Sequence, residues 1–183
     1  MTLVNWIIPG TAIGFLWTWI FNGQYGILNA LIEACGGEGQ TWLGQTETAL
    51  ICVVVARTWQ MLPWYMAFLL GGLQGVSMDQ IEAARIDGAN NWQVFTHIVA
   101  PAMRGIMTLV LILGAIGNLQ HFDLPWTMVQ GGPARATTTL SIEVYKTAFK
   151  NWNMGKAATV GTIWALLLAI FSFVYLRQVN ESD

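Results

Sequence analysis

The chain has 183 residues, 55% of them hydrophobic and 10% charged, with ten tryptophans and a formal net charge of −2. That composition excludes an ordinary soluble domain and points to an integral membrane protein, while the net charge is too small to indicate a partner. Cys35 and Cys52 make neither a disulfide framework nor a metal motif and read as buried or interfacial free thiols. No basic segment precedes the first apolar run, which is as long as a span, so there is no pattern of a cleaved signal.

Residues 3–21 are mainly apolar and, at roughly 28 Å as a helix, long enough to cross a bilayer. Pro9 and Gly10 should kink that helix. Trp17 and Trp19 near its end suit an interfacial belt. Residues 22–48 form a polar, glycine-rich connection carrying Glu33, Glu38 and Glu47, and 27–34 has the pattern of a short interfacial helix. Residues 49–73 are the second expected span. Arg57, Gln60 and Pro63 lie within it. A charge at that depth has to face protein or water, so Arg57 is a functional candidate. Gly71 and Gly75 permit close helix contact.

Residues 77–105 read as a helix–turn–helix. Ser77 and Gln80 have the spacing of a capping box. Asp79 and Glu82 lie near the positive end of the helix dipole. Met78, Ile81 and Ala84 form a narrow apolar stripe. Gly88 is the expected left-handed stop. Asn90 is placed to cap a second short helix with Gln93 as the returning partner. Trp92, Phe95, Ile98 and Val99 give that helix one apolar face, and Pro101 breaks it or starts a new one. Ala83, Ala84, Gly88 and Ala89 line the turn, and their small side chains let another protein approach the backbone. A loop that merely supports its neighbours fits the same spacing. A DNA-reading element does not: Arg85 and Arg104 stand against Asp79, Glu82 and Asp87.

Residues 104–122 are the third expected span. Their clean apolar core, 106–115, runs into Asn118, Gln120, His121 and Asp123. Such a span either lines an aqueous path or leaves the membrane early, and both readings stand. Residues 124–156 form the longest connection. Gly131, Gly132 and Pro133 force a turn in it. Leu140, Val144 and Ala148 then repeat at helical spacing. Residues 157–176 are the fourth span, with Phe171, Phe173 and Tyr175 near its end, and 177–183 is a polar tail. The chain is therefore expected to be an all-α, multi-pass membrane protein with about four spans. Arg135, Lys146, Lys150 and Lys156 would share one side, and Arg85, Arg104 and Arg177 the other. The positive-inside count alone runs slightly against a cytosolic 77–105 loop.

Glu82-Ala83-Ala84, Asp87-Gly88-Ala89, Phe95, Ile98 and Pro101 stand in the order and spacing of E-A-A-x-x-D-G-A-x5-F-x2-I-x-L-P-x3-P. The segment thus resembles the EAA loop of ABC-importer permeases. Ala100 and Gly105 depart from the pattern, where Leu and Pro are usual. The resemblance implies that 77–105 is a cytosolic coupling loop, which outweighs the charge count and sets both chain ends on the cytosolic side. It implies docking of Glu82, Ala83, Ala84, Asp87, Gly88, Ala89, Phe95 and Pro101 into a cleft on an ATPase subunit, with Glu82 as polar anchor beside Arg85 or a partner arginine. Phe122-Asp123, Gly131-Gly132-Pro133, Thr137, Leu140, Tyr145 and Phe149 form a second pattern. It resembles the first permease subunit of carbohydrate-uptake importers of the maltose and glycerol-phosphate type, with Val129 where Thr is usual. Members of that group carry two further spans before the equivalent of Leu3, so the chain reads as one partial transmembrane domain, N-terminally short.

The resemblance implies a permease subunit in the cytoplasmic membrane that translocates a sugar or sugar derivative. Its partners would be a second permease subunit, an ATPase dimer, an extracytoplasmic solute-binding protein and membrane lipid, with no nucleic acid. The chain has no G-x-x-x-x-G-K-[ST] loop, so ATP and magnesium would act on the partner and no cofactor or metal on this chain. Trp59 and Pro63 match the helix that precedes the EAA loop, whose pore-facing positions are here Arg57, Gln60, Met61 and Trp64. Gly117, Asn118 and His121 complete the expected substrate site. Chemistry agrees with that set. Amide, guanidinium and imidazole groups suit sugar hydroxyls, and a flat ring suits the apolar sugar face. Arg57 and Gln60 are three residues apart and Trp64 four beyond, so the three can share a helix face. Arg57 also leaves room for a sugar phosphate. The alternative is that Arg57 pairs with a carboxylate between spans and Asn118 only ties helices together.

Two other classes of protein stand beside this reading. An intramembrane enzyme would need metal ligands or a nucleophile and base. H-E-x-x-H and G-x-S-x-G are missing, and a predicted span separates His97 from His121. A remnant that assembles without moving solute would follow from the short N-terminus.

Overall fold

The structure is a computed structural model and describes residues 4–180. Leu3 and residues 181–183 of the polar tail lie outside the described residues, as do the side chains of Tyr175 and Arg177. Among the described residues all regular structure is helical, in eleven α-helices and two short π-helical turns. The chain divides into two units. One comprises Met1–Pro63 and Asn118–Ala169, the other Trp64–Gly117 and Ile170–Asp183.

The first unit starts with α1 (Val4–Ile7) and α2 (Gly10–Ile20). Pro9 is the N-cap of α2, so the expected kink is a break between two helices. The connection after α2 contains α3 (Ile27–Ala34), over the residues whose pattern suggested a helix. Its organiser is Asn29, which is 2% exposed. The Asn29 amide donates to the carbonyls of Gly23 and Gln40 at 2.8 and 2.9 Å. Its oxygen accepts from Gln40 N–H at 3.1 Å and Trp42 Nε1 at 2.6 Å. One side chain thus satisfies both edges of a loop that has no sheet or long helix to do so.

The α4 helix (Thr46–Gln74) is 29 residues long and passes through Pro63 without interruption. Its first half packs Cys52, Val53 and Ala56 into a core with Ile13, Phe21, Leu124 and Met128. Trp17 stacks on Phe21 at 5.2 Å and meets Trp59 edge-on at 5.8 Å. Trp17 is thus half-buried against that core, and Trp19 is exposed. Cys52 is buried, Cys35 exposed, and both are free thiols.

A helix not expected from the sequence, α9 (Asp123–Val129), lies against α2. Gly14 makes the approach: a β-carbon there would be 2.7 Å from Thr127 Cβ and 3.3 Å from the Leu124 carbonyl. Beyond the turn, α10 (Leu140–Tyr145) leads into a π turn (Lys146–Lys150) and then α11 (Met154–Asn180). The helical spacing expected over 140–149 is borne out, though Leu140, Val144 and Ala148 do not form one buried face. Leu140 is exposed, and Ser141, Ile142, Thr147 and Ala148 are buried.

The second unit holds the rest of α4, then α5 (Met78–Ile86), α6 (Asn91–Val94), a π turn (Phe95–Val99), α7 (Ala100–Ala102) and most of α8 (Arg104–Leu119). Gly71, expected at a helix contact, has open space around it, and Gly75 meets only its own helix end. The close approach is at neighbouring Gly72, where an added β-carbon would collide with the Ile106 side chain, and at Gly114, where it would collide with the Tyr65 ring. Pro101 stands in the first turn of α7, so of the two expected roles it takes that of a new start. The first turn needs no N–H from Pro101, and the chain bends by 66° beyond it, at Met103. Among the described residues, Met154–Phe173 alone is long and apolar enough to cross a membrane as a single helix. Asn91–Ala102 and Arg104–Leu119 meet that test as a bent pair, and Gly10–Ile20 is apolar but short.

Candidate functional site

Three built features coincide with the residues picked out in the sequence. The first is a polar cluster in the first unit. Arg57, on α4, donates from Nε to Asn118 Oδ1 at 2.8 Å and from Nη1 to Gln60 Oε1 at 2.8 Å. Its Nη1 also faces His121 Nε2 at 3.3 Å. A guanidinium can only donate, so Nε2 is the acceptor here and His121 carries its proton on Nδ1. Gln60 is buried, Arg57 and His121 are half-buried and Asn118 is exposed. Arg57 takes both amides by their oxygens and so fixes both amide planes. Four of the seven expected substrate residues are thereby brought together, across 61 and 64 residues of chain.

The other three stand differently. Met61 is half-buried in the same unit. Trp64 and Gly117 belong to the second unit. The Trp64 ring packs against Tyr65 at 5.0 Å and Phe68 at 4.6 Å, while Gly117 has open space at its β position. The sequence reading missed Ser141. Its hydroxyl donates to the His121 carbonyl at 3.2 Å and shares a hydrogen bond with Thr139 at 2.8 Å, so α10 positions the imidazole segment. The signal was the run Thr137-Thr138-Thr139 ahead of Ser141, a concentration of capping hydroxyls.

The second feature is the connection that holds the second motif. Phe122, Trp126, Tyr145 and Phe149 form a chain of ring contacts 4.6–5.4 Å apart. Thr137 Oγ1 donates to the Gly132 carbonyl at 2.7 Å and Thr138 Oγ1 to that of Gly131 at 2.9 Å. The motif residues thus build the turn and seat α10 on α9.

The third feature is the helix pair of the second unit. Gly88 is left-handed, φ 87°. Ala89 N–H donates to the Ala84 carbonyl at 2.9 Å and Gly88 N–H to that of Arg85 at 3.1 Å, a Schellman stop for α5. Asn90 and Gln93 form the reciprocal capping box, at 2.9 and 2.8 Å. Ser77, by contrast, makes no side-chain cap bond, so only its backbone geometry serves. Between the helices lies a depression of about 340 Å³ lined by Ala84, Asp87, Gly88, Ala89, Val94 and Ile98 among others. Around it Ile86 is 86% exposed and Trp92 72%, and Phe95 is also exposed. Glu82 and Arg85 are exposed, and among the described residues they form no ion pair. Ala83 and Pro101 line a second depression on the same helix pair.

Residues 1–181 match the family described as the binding-protein-dependent transport system inner membrane component. The chain belongs to that family. This membrane component is 31% identical over 180 residues to the trehalose/maltose transport system permease protein MalF of Thermococcus litoralis, covering 97% of this chain and 60% of the relative. It is 28% identical over 181 residues to the sulfoquinovosyl glycerol transport system permease protein SmoG of Agrobacterium fabrum, covering 99% and 59%. The chain thus spans about three-fifths of the length of these relatives. Its fold matches, with a TM-score of 0.89 at 16% identity, a chain in the crystal structure of a bacterial ABC transporter involved in import of the acidic polysaccharide alginate. That match covers 98% of this chain and 63% of the other.

Proposed function

We propose that this membrane component is part of the permease of an ATP-driven importer and that its solute is a sugar or sugar derivative. The observation that carries the reading is the helix pair of the second unit. Its turn and second helix are capped and preorganised, yet Ile86, Trp92 and Phe95 are left exposed. An element so rigid and so poorly covered is suited to docking. The docking set is Glu82, Ala83, Ala84, Asp87, Gly88, Ala89, Phe95 and Pro101, seated in a cleft of a partner ATPase that binds ATP and magnesium. A second permease subunit and an extracytoplasmic solute-binding protein complete the assembly. Residues 3–21, 49–73, 104–122 and 157–176 act as spans, with 77–105 in the cytosol. ATPase closure moves this loop, and the spans alternate between inward and outward access.

The solute site is assigned to Arg57, Gln60, Met61, Trp64, Gly117, Asn118 and His121. The clustering of Arg57, Gln60, Asn118 and His121 supports it, because these groups can exchange their mutual hydrogen bonds for those of sugar hydroxyls. The names of the two relatives support the solute class. An anionic derivative is a second reading, favoured by the planar donor fork of Arg57. The test is uptake by the complete complex in vesicles. Gln60→Ala, Trp64→Ala and Asn118→Ala should each lower uptake several-fold, at about 0.5–1.5 kcal/mol per lost hydrogen bond or ring contact, with assembly intact. Normal uptake in all three would remove the site from these residues.

A further inference from the structure

Among the described residues, the indole Nε1 of Trp17 is a buried donor with no hydrogen-bond partner. Native structures seldom bury a donor without an acceptor, so such an atom calls for an explanation. Trp17 lines a cavity of about 380 Å³ in the first unit, a size in the range of small-molecule sites. Phe21 and Cys52, both buried, line it too, as do Leu28 and Trp42 from the connection between α2 and α4. Ile51 and Val55 complete the apolar lining. They are 61% and 43% exposed, so the cavity opens along the side of α4.

The other polar groups there are spent on the protein. Trp42 Nε1 donates to Asn29, and the Thr48 hydroxyl donates to the Trp42 carbonyl. A water settles in a cavity only with about two to four polar partners. This lining does not offer them, so water is a poor match for the Trp17 N–H. The hydrogen bonds of Asn29 to Gln40 and Trp42 hold the Trp42 wall, so the cavity is preformed.

Place and charge identify the occupant. The cavity lies where α2 ends and α4 begins, which is the membrane boundary when 3–21 and 49–73 are spans. An inner membrane component is surrounded there by phospholipid. Ester carbonyls of phospholipid accept and cannot donate, the complement of an indole N–H at the interface. Acyl chains match the apolar lining. The connection beside the cavity, residues 22–48, carries Glu33, Glu38 and Glu47 and no Lys or Arg. All three carboxylates are exposed. Such a rim favours a headgroup that holds a cation over one that is only anionic.

We propose that this cavity seats an acyl chain of a zwitterionic phospholipid, with an ester carbonyl on Trp17 Nε1 and the ammonium facing the acidic connection. The proposal rests on the reading of 3–21 and 49–73 as spans.

The experiment places the complete importer in nanodiscs with phosphatidylethanolamine or phosphatidylglycerol carrying a photoactivatable diazirine on one acyl chain. Adducts are mapped to single residues. The ethanolamine lipid should mark Leu28, Ile51 and Val55, and should exceed the glycerol lipid there several-fold. Phe15 and Val54, exposed on α2 and α4 outside the cavity, report the surrounding bilayer. Val55→Trp narrows the opening and should cut adducts at Leu28 several-fold while leaving Phe15 unchanged. Trp17→Phe keeps a ring and removes the N–H. It should lower retention of the ethanolamine lipid about two- to tenfold with subunit yield unchanged. Glu47→Gln should reduce the preference for ethanolamine over glycerol. Cavity adducts that Val55→Trp leaves unchanged overturn the proposal, and so does equal retention in Trp17→Phe. A preference for phosphatidylglycerol overturns the zwitterionic seat. Adducts at Phe15 and Val54 with none in the cavity overturn the seat alone and assign the cavity to a protein segment. Adducts at none of these positions overturn the reading of the two spans together with the seat.

Discussion

At the residue scale, Asn29 holds the connection between α2 and α4 together. Asn29 makes four hydrogen bonds from a site 2% exposed. Asn29→Ala would strand Trp42 Nε1, the Gln40 N–H and two carbonyls. We expect a loss of about 2–4 kcal/mol, since each stranded buried group costs about 1–3 kcal/mol before relaxation. A fall of several degrees in the melting temperature of the purified complex would record it, and an unchanged melt would show that water replaces the side chain. Gly88 is the second such position. Its φ of 87° costs a β-branched residue at least about 1–2 kcal/mol. Gly88→Val should therefore disturb the turn and lower co-purification of the ATPase or ATP-coupled uptake. Normal yield and normal coupling together would argue against a docking role for the turn.

At the element scale, the contact of α2 with α9 sets the first unit. The two helices meet where Gly14 leaves no room over Thr127. Gly14→Ala should push them apart and destabilise the protein by about 1–3 kcal/mol, the usual cost of overpacking. Adding Thr127→Gly removes the opposing β-carbon and should restore part of the loss in the same melting assay. Failure of that rescue would mean that backbone, chiefly the Leu124 carbonyl, sets the limit. The two π turns act differently. Phe95–Val99 leads into the short helix that Pro101 opens, and Lys146–Lys150 continues α10 towards the next connection. Both are invisible to a 3.6-residue period.

At the scale of the whole molecule, the four-span topology predicts which loops meet which solution. Cysteine placed at Asn90 should react only from the cytosol, and cysteine at Glu38 only from outside. Cys35 is exposed in the same connection as Glu38 and has to be removed first. Labelling of both positions from one side would sink the topology. The sequence by itself determined what depends on neighbours within about five residues. It marked the left-handed stop at Gly88, the Asn90–Gln93 box, the short helix at 27–34 and the ordered motifs that place the chain in its family. Only the tertiary structure decided what depends on distant partners. It brought Arg57 to Asn118 and His121, set Ser141 under the His121 carbonyl, folded a connection around Asn29 and packed Trp17 against Phe21 and Trp59. Local spacing fixes caps and periods through short hydrogen-bonded rings, whereas side chains some 60 residues apart meet only once the helices between them have packed.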